Sequence, residues 1–209
     1  MSLTLIGYRH SVYTWAARMA LAEAGLRAGF QDIDPFDAST AALRKHHPFG
    51  RVPVLWDGAF RLYETGAILA YLLPAVSGRK AAARARQVAG IVDAYAYWPL
   101  VRQVYAQAVF GPACGRATDL GELSAGLAAA PRVLGALDDI AAEALVLDGH
   151  DIGPADCHLA PMVGAFAEAD EARAMLAGHA HLQAWFTAIS ARESYRTTRP
   201  VLPANGAPA

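Results

Sequence analysis

The chain has 209 residues, enough for one large domain or two small ones and for a core that hides roughly 70% of the unfolded surface. Eighteen Lys plus Arg face nineteen Asp plus Glu, a formal charge of −1, which excludes the strong basic field that binders of nucleic acid or anionic membrane use. Hydrophobic residues reach 55%, yet alanine supplies much of that, and no apolar run approaches the roughly 18 residues of a transmembrane helix. The start, Met1 to Tyr8, has no basic stretch followed by an apolar one, so no secretory signal is read and cytoplasmic residence is the expectation. Cys114 and Cys157 lack CxxC spacing and cannot staple a fold of this size; both are expected to be reduced and packed.

In chain order, Leu3-Thr4-Leu5-Ile6-Gly7 is a short apolar run closed by glycine and is predicted to be a strand. Thr14 to Ala24 then places Ala17, Leu21 and Ala24 at helical spacing, and Gly29 to Asp34 alternates as a half-buried strand before Pro35, completing a βαβ unit. Val52 to Trp56 and Phe60 to Tyr63 flank Asp57-Gly58, a turn pair that favours the positive φ of hairpins. Glu64 onward is predicted to be helical through Leu73. After Pro74 the composition shifts to a charged, alanine-rich helix start at Arg79, with no further strand signal. Helical periodicity covers Ala83 to Phe110, Leu120 to Leu145 with a possible break at Pro131, Pro154 to Ala167 and His181 to Ser190; Pro99 is expected to kink the first of these near Tyr95 to Trp98. The expected fold class is α/β plus all-α, with an α/β domain over residues 1–76, a helical domain over 83–200 and a loose tail over 201–209.

The most informative segment is His47-Pro48-Phe49-Gly50-Arg51-Val52-Pro53-Val54-Leu55, followed by Tyr63-Glu64-Thr65-Gly66-Ala67-Ile68. Pro53 between strand residues calls for special geometry, such as a cis Val52-Pro53 bond. Glu64-Thr65 falls where strand becomes helix, and a helix N-terminus receives carboxylates. These motifs resemble the glutathione S-transferase family, whose pattern is Asn-Pro-x-Gly-x-Val-Pro and then Glu-Ser-x-x-Ile; this chain has His47 for Asn and Thr65 for Ser. The resemblance covers nearly the full length and implies a thioredoxin-like domain followed by a helical bundle. It implies that Arg51, Val52, Pro53, Glu64 and Thr65 bind glutathione, with the Val52 backbone pairing to the cysteinyl part and Glu64-Thr65 receiving the γ-glutamyl carboxylate.

The loop Gly7 to Trp15 is expected to hold the group that activates the thiol. Ser11-Val12-Tyr13-Thr14-Trp15-Ala16-Ala17-Arg18-Met19-Ala20-Leu21 is similar, without a gap, to the zeta-like pattern Ser-Ser-Cys-x-Trp-Arg-Val-Arg-x-Ala-Leu, which places Ser11 on the catalytic serine of a serine-class, zeta-, theta- or phi-like enzyme. Tyr8, near the tyrosine of other classes, is the rival. Tyr13 stands where the zeta signature has cysteine, and without a loop cysteine mixed-disulfide chemistry lacks its nucleophile. Tyr8, Tyr13 and Tyr105 are candidates for the second-substrate pocket.

Lys45, His46, His47 and Arg51 compete for the glycine carboxylate of glutathione, with the choice open. Adjacent histidines on a loop make a poor metal site, so no metal is expected. Gly153-Pro154-Ala155-Asp156 resembles a capping box, which keeps Asp156 in folding rather than catalysis. Tyr95, Trp98, Tyr105 and Phe110 lie along one helix expected to face the α/β domain. The resemblance implies a detoxifying transferase that joins glutathione, as cosubstrate, to a small electrophile, and a homodimer in which Asp93 reaches the partner's glutathione. A non-catalytic assembly module and a glutathione-dependent isomerase or dehalogenase stay open as alternatives.

Overall fold

The computed structural model describes residues 2–36 and 43–202. Strand β1, Leu3–Gly7, lies at the centre of a four-stranded mixed sheet of order β2-β1-β3-β4, with β2 at Ala28–Asp32, β3 at Val54–Asp57 and β4 at Phe60–Tyr63. It runs parallel to β2 and antiparallel to β3, with Leu5 opposite Leu55 and Ile6 opposite Val54. Alternation sends Leu3 and Leu5 into the main core and Ile6 into a smaller cluster with Leu43 and Val54, so β1 is covered on both faces. The β3–β4 hairpin turns at Gly58, whose φ of +57° is the left-handed geometry expected of Asp57-Gly58.

Helix α1, Val12–Glu23, buries Trp15, Ala16, Met19 and Ala20, and α2, Thr65–Leu72, packs beside it. The helical remainder begins with α3 at Arg79–Ile91, which passes directly into α4 at Val92–Phe110. Around Pro99, where a kink is expected, α4 has π geometry, in which the Gly111 N–H reaches back five residues to the Ala106 carbonyl. Proline has no N–H for the i−4 bond and its ring crowds that carbonyl, so wider winding relieves the same conflict that a kink would. The possible break at Pro131 does not occur: α5 runs from Leu120 to Ala142 without interruption and packs along α4.

Helix α6, Pro154–Phe166, is the centre of the helical part, and every residue from Ala155 to Phe166 is buried. The capping box is formed as expected. Asp156 accepts the Gly153 N–H at 2.9 Å and the Trp185 indole N–H at 2.8 Å, so one carboxylate both starts α6 and anchors α8, Ala180–Ser190. Two short helices, α7 at Asp170–Ala177 and α9 at Glu193–Thr198, were not legible in the sequence. The latter docks on α1: Arg192 grips Glu23 through two 2.8 Å bonds, and the Trp15 indole donates to Thr198 at 3.1 Å. Both cysteines are free thiols, and Cys157 is buried. No helix of the described residues is long and apolar enough to cross a membrane. Of the expected loose tail, residues 203–209 lie outside the described residues.

Candidate active site

The loop that leaves β1 is tied down by one side chain. The fully buried Thr14 accepts the Tyr8 N–H on its hydroxyl at 3.2 Å, and its own N–H donates to the Ser11 Oγ at 3.3 Å. Ser11 is therefore the N-cap of α1, held in extended geometry with its side chain over the helix N-terminus. Tyr8 is buried, and desolvation followed by the Asp34 carboxylate pushes its phenol up to about 12.

Across the cleft the Val52-Pro53 bond is cis, and β3 begins immediately after it. Glu64 caps α2 with a φ of +69°, a left-handed backbone that a residue with a Cβ seldom adopts and that clusters at functional positions. No side chain caps α2, so its first N–H groups have no acceptor from the cap. His47 is buried below this turn, takes the Phe49 N–H on Nδ1 at 3.1 Å and lies 3.8 Å from the Glu64 carboxylate through Nε2. Burial lowers its pKa, outweighing Glu64, so His47 is a neutral wall of the cleft at pH 7.

A cleft of about 830 Å³ between the sheet edge and α4 brings these elements together. Ser11, Arg51, Val52, Pro53, Glu64 and Thr65 all line it, as do Tyr8, Tyr13 and Tyr105. Of the four basic candidates, Arg51 and His47 line the cleft while Lys45 and His46 do not. The aromatic stripe on α4 is divided: Tyr105 and Phe110 face the cleft, whereas Tyr95 and Trp98 are 67% and 58% exposed. The wider winding of α4 puts Asp93, Tyr97, Arg102, Ala106 and Phe110 on the cleft face, at spacings that an ordinary helical period does not bring into line.

Sequence reasoning did not find the role of His158. This imidazole is fully buried on α6, yet its Nε2 lies 3.2 Å from Asp93 Oδ1, off-line for a hydrogen bond and so an electrostatic contact. Tyr13 stacks against Tyr97 and the His158 ring at 4.9 and 5.9 Å between centroids, and burial together with the Asp93 carboxylate raises its phenol pKa. The only sequence signal was an unexplained histidine in an apolar helix. The described residues contain no cluster of three or more His, Cys, Asp or Glu suited to a metal.

Residues 1–74 match the family described as "Glutathione S-transferase, N-terminal domain". The whole chain is similar to a glutathione S-transferase of Silene vulgaris, 27% identical over 95% of this chain and 97% of that one. The solved structure of glutathione transferase F7 from Populus trichocarpa superposes with a TM-score of 0.80 at 21% identity, covering 94% of this chain and 97% of that one. A theta class enzyme from Xanthomonas axonopodis pv. citri, solved with glutathione bound, gives 0.77 at 23%, covering 96% and 98%. The thioredoxin-like sheet and the helical remainder agree with the matched domain: residues 1–74 belong to the glutathione S-transferase N-terminal domain family, and the chain is similar along its length to glutathione S-transferases.

Proposed function

We propose that the protein is a glutathione transferase that ionises bound glutathione with Ser11 and directs the sulfur at an electrophilic carbon. The observation that carries this reading is the convergence of the Ser11 cap, the Val52-Pro53 turn and the uncapped Glu64-Thr65 helix start on one cleft. Its volume of about 830 Å³ falls within the range of small-molecule pockets. The relative from Xanthomonas axonopodis pv. citri holds glutathione in the same fold.

In this reading the Val52 backbone pairs with the cysteinyl unit, the α2 N-terminus takes the γ-glutamyl carboxylate, and Arg51 takes the glycine carboxylate. A thiol with a pKa of ~8.5 is a few per cent ionised at neutral pH, and lowering that value by about two units requires roughly 2.7 kcal/mol. One hydrogen bond to a charged acceptor contributes about 1.5–3 kcal/mol and a helix N-terminus about 0.3–1 kcal/mol. The Ser11 oxygen already accepts from Thr14, which leaves the hydroxyl proton for the sulfur. Burial raises the Tyr8 phenol to about 12, which makes it a weaker donor than an ordinary tyrosine.

Asp93 lines the cleft, and in this reading its carboxylate serves the γ-glutamyl ammonium of glutathione. The protein works as a homodimer in the cytoplasm; the exposed Phe49, Tyr95 and Trp98 are the aromatic surface that such an interface buries. Calorimetry and a thermal shift with glutathione test the core of this reading. No heat and no shift at ~10 mM ligand contradict it, because a ligand well above its dissociation constant stabilises the native state. Light scattering that reports a single-chain mass at micromolar concentration contradicts the dimer.

A further inference from the structure

The outer end of the cleft has a composition that glutathione does not explain. Phe36 stands there 73% exposed, with the Arg102 guanidinium 5.7 Å from its ring centroid. Tyr8 meets Phe36 edge-on at 6.2 Å, and His10 lies between Tyr8 and Phe110 at 5.3 and 5.5 Å. Arg116 covers Phe110 at 5.5 Å. Tyr8, His10, Phe36, Phe110 and Arg102 line the cleft, a slot of flat faces with one cation in its wall and a second, Arg116, lying on Phe110.

The two cations are uncommitted. Among the described residues neither Arg102 nor Arg116 has an ion pair or a side-chain hydrogen bond. The carboxylates that act on Tyr8 are already engaged: Asp32 is paired with Arg9, and Asp34 takes the Phe36 N–H at 2.8 Å. Guanidinium groups stacked on aromatic rings keep their edge N–H groups directed outward, and that edge binds carboxylates in bidentate fashion. Ring faces bind other rings offset or edge-on.

We infer that this second subsite takes a planar aromatic electrophile carrying an anionic group, the ring held by Phe36, Tyr8 and Phe110 and the anion by Arg102 and Arg116. The inference rests on the glutathione transferase reading and adds a substrate class to it. In the step itself the glutathione sulfur forms a bond to the ring carbon bearing a halide. The carbon–halogen bond then breaks, the halide leaves with its electron pair, and the thiol proton has gone to solvent.

The test uses 4-chloro-3-nitrobenzoate and its neutral amide, 4-chloro-3-nitrobenzamide, which share the same reacting carbon. Each kcat/KM is divided by the uncatalysed rate with glutathione. The expected acid-to-amide ratio for the native protein is about tenfold or more, the size of one charge-assisted contact. It falls towards one in Arg102→Gln and drops in part in Arg116→Gln. In the native protein it also shrinks as salt rises from about 50 to about 500 mM, a readout that depends on no variant folding. Turnover of both compounds at a ratio near one, insensitive to salt and to Arg102→Gln, overturns this inference and leaves the transferase reading standing. Turnover of neither compound, with no glutathione binding, overturns both.

Discussion

His158 Nε2 and Asp93 Oδ1 lie 3.2 Å apart, joining a fully buried imidazole on α6 to a carboxylate that is 54% exposed on the cleft wall. The contact fixes the position of Asp93 from below while Tyr13 borders it from α1. Asp93→Asn keeps the shape and removes the charge. It should weaken glutathione binding about tenfold, the scale of one ion contact, with little change in melting temperature. Calorimetry checks the first part and thermal unfolding the second; unchanged affinity removes Asp93 from the glutathione site.

Asp156 makes stability depend on pH with an unusual sign. Burial raises its pKa from the ordinary 3.8 to about 6, against the two hydrogen bonds from Gly153 and Trp185 that favour the anion. Between about pH 4 and pH 6 the folded state therefore holds a proton that the unfolded chain has already lost. The stability contribution is full below the unfolded value and declines as pH rises towards the folded one. Asp156→Asn cannot ionise, so its unfolding free energy relative to the native protein should rise by about 2 kcal/mol between pH 4 and pH 7, at ~1.36 kcal/mol per pKa unit. Urea unfolding at the two pH values measures this; a constant difference contradicts it.

Gly126 is where α5 closes on α4. A Cβ there would stand 2.6 Å from the Gln103 Cβ and 2.9 Å from the Pro99 carbonyl oxygen, a backbone atom that cannot rotate away. Gly126→Ala should destabilise the protein by about 1–3 kcal/mol, as overpacking does, despite alanine's better helix propensity. An equal or raised melting temperature contradicts this packing.

The sequence carried most of the frame because its punctuation was strong. Gly7, Asp57-Gly58 and Pro35 bounded short strands, and Gly153-Pro154 marked a helix start that the structure retains. The Val52-Pro53 turn and the Glu64-Thr65 helix start were legible for the same reason: both are backbone devices with few alternatives. The second subsite was less so. Their order along one helix groups Tyr95 and Trp98 with Tyr105 and Phe110, but π winding turns the first two outward and brings Arg102 in. His158 was hidden because its relation to Asp93 joins two helices distant in the chain.

The assignment of the thiol activator is the central claim, and the ultraviolet absorbance of the glutathione thiolate tests it most directly. Complexes of the native protein, Ser11→Ala and Tyr8→Phe are titrated with base. Ser11→Ala should raise the pKa of bound glutathione by about one to two units and slow turnover at neutral pH roughly ten- to a hundred-fold, at ~1.36 kcal/mol per unit. Its affinity for glutathione should change little, because the proposed binding contacts lie at Val52 and Glu64-Thr65. Tyr8→Phe should leave the titration in place. A shift in Tyr8→Phe with none in Ser11→Ala would contradict the serine assignment and give the role to Tyr8.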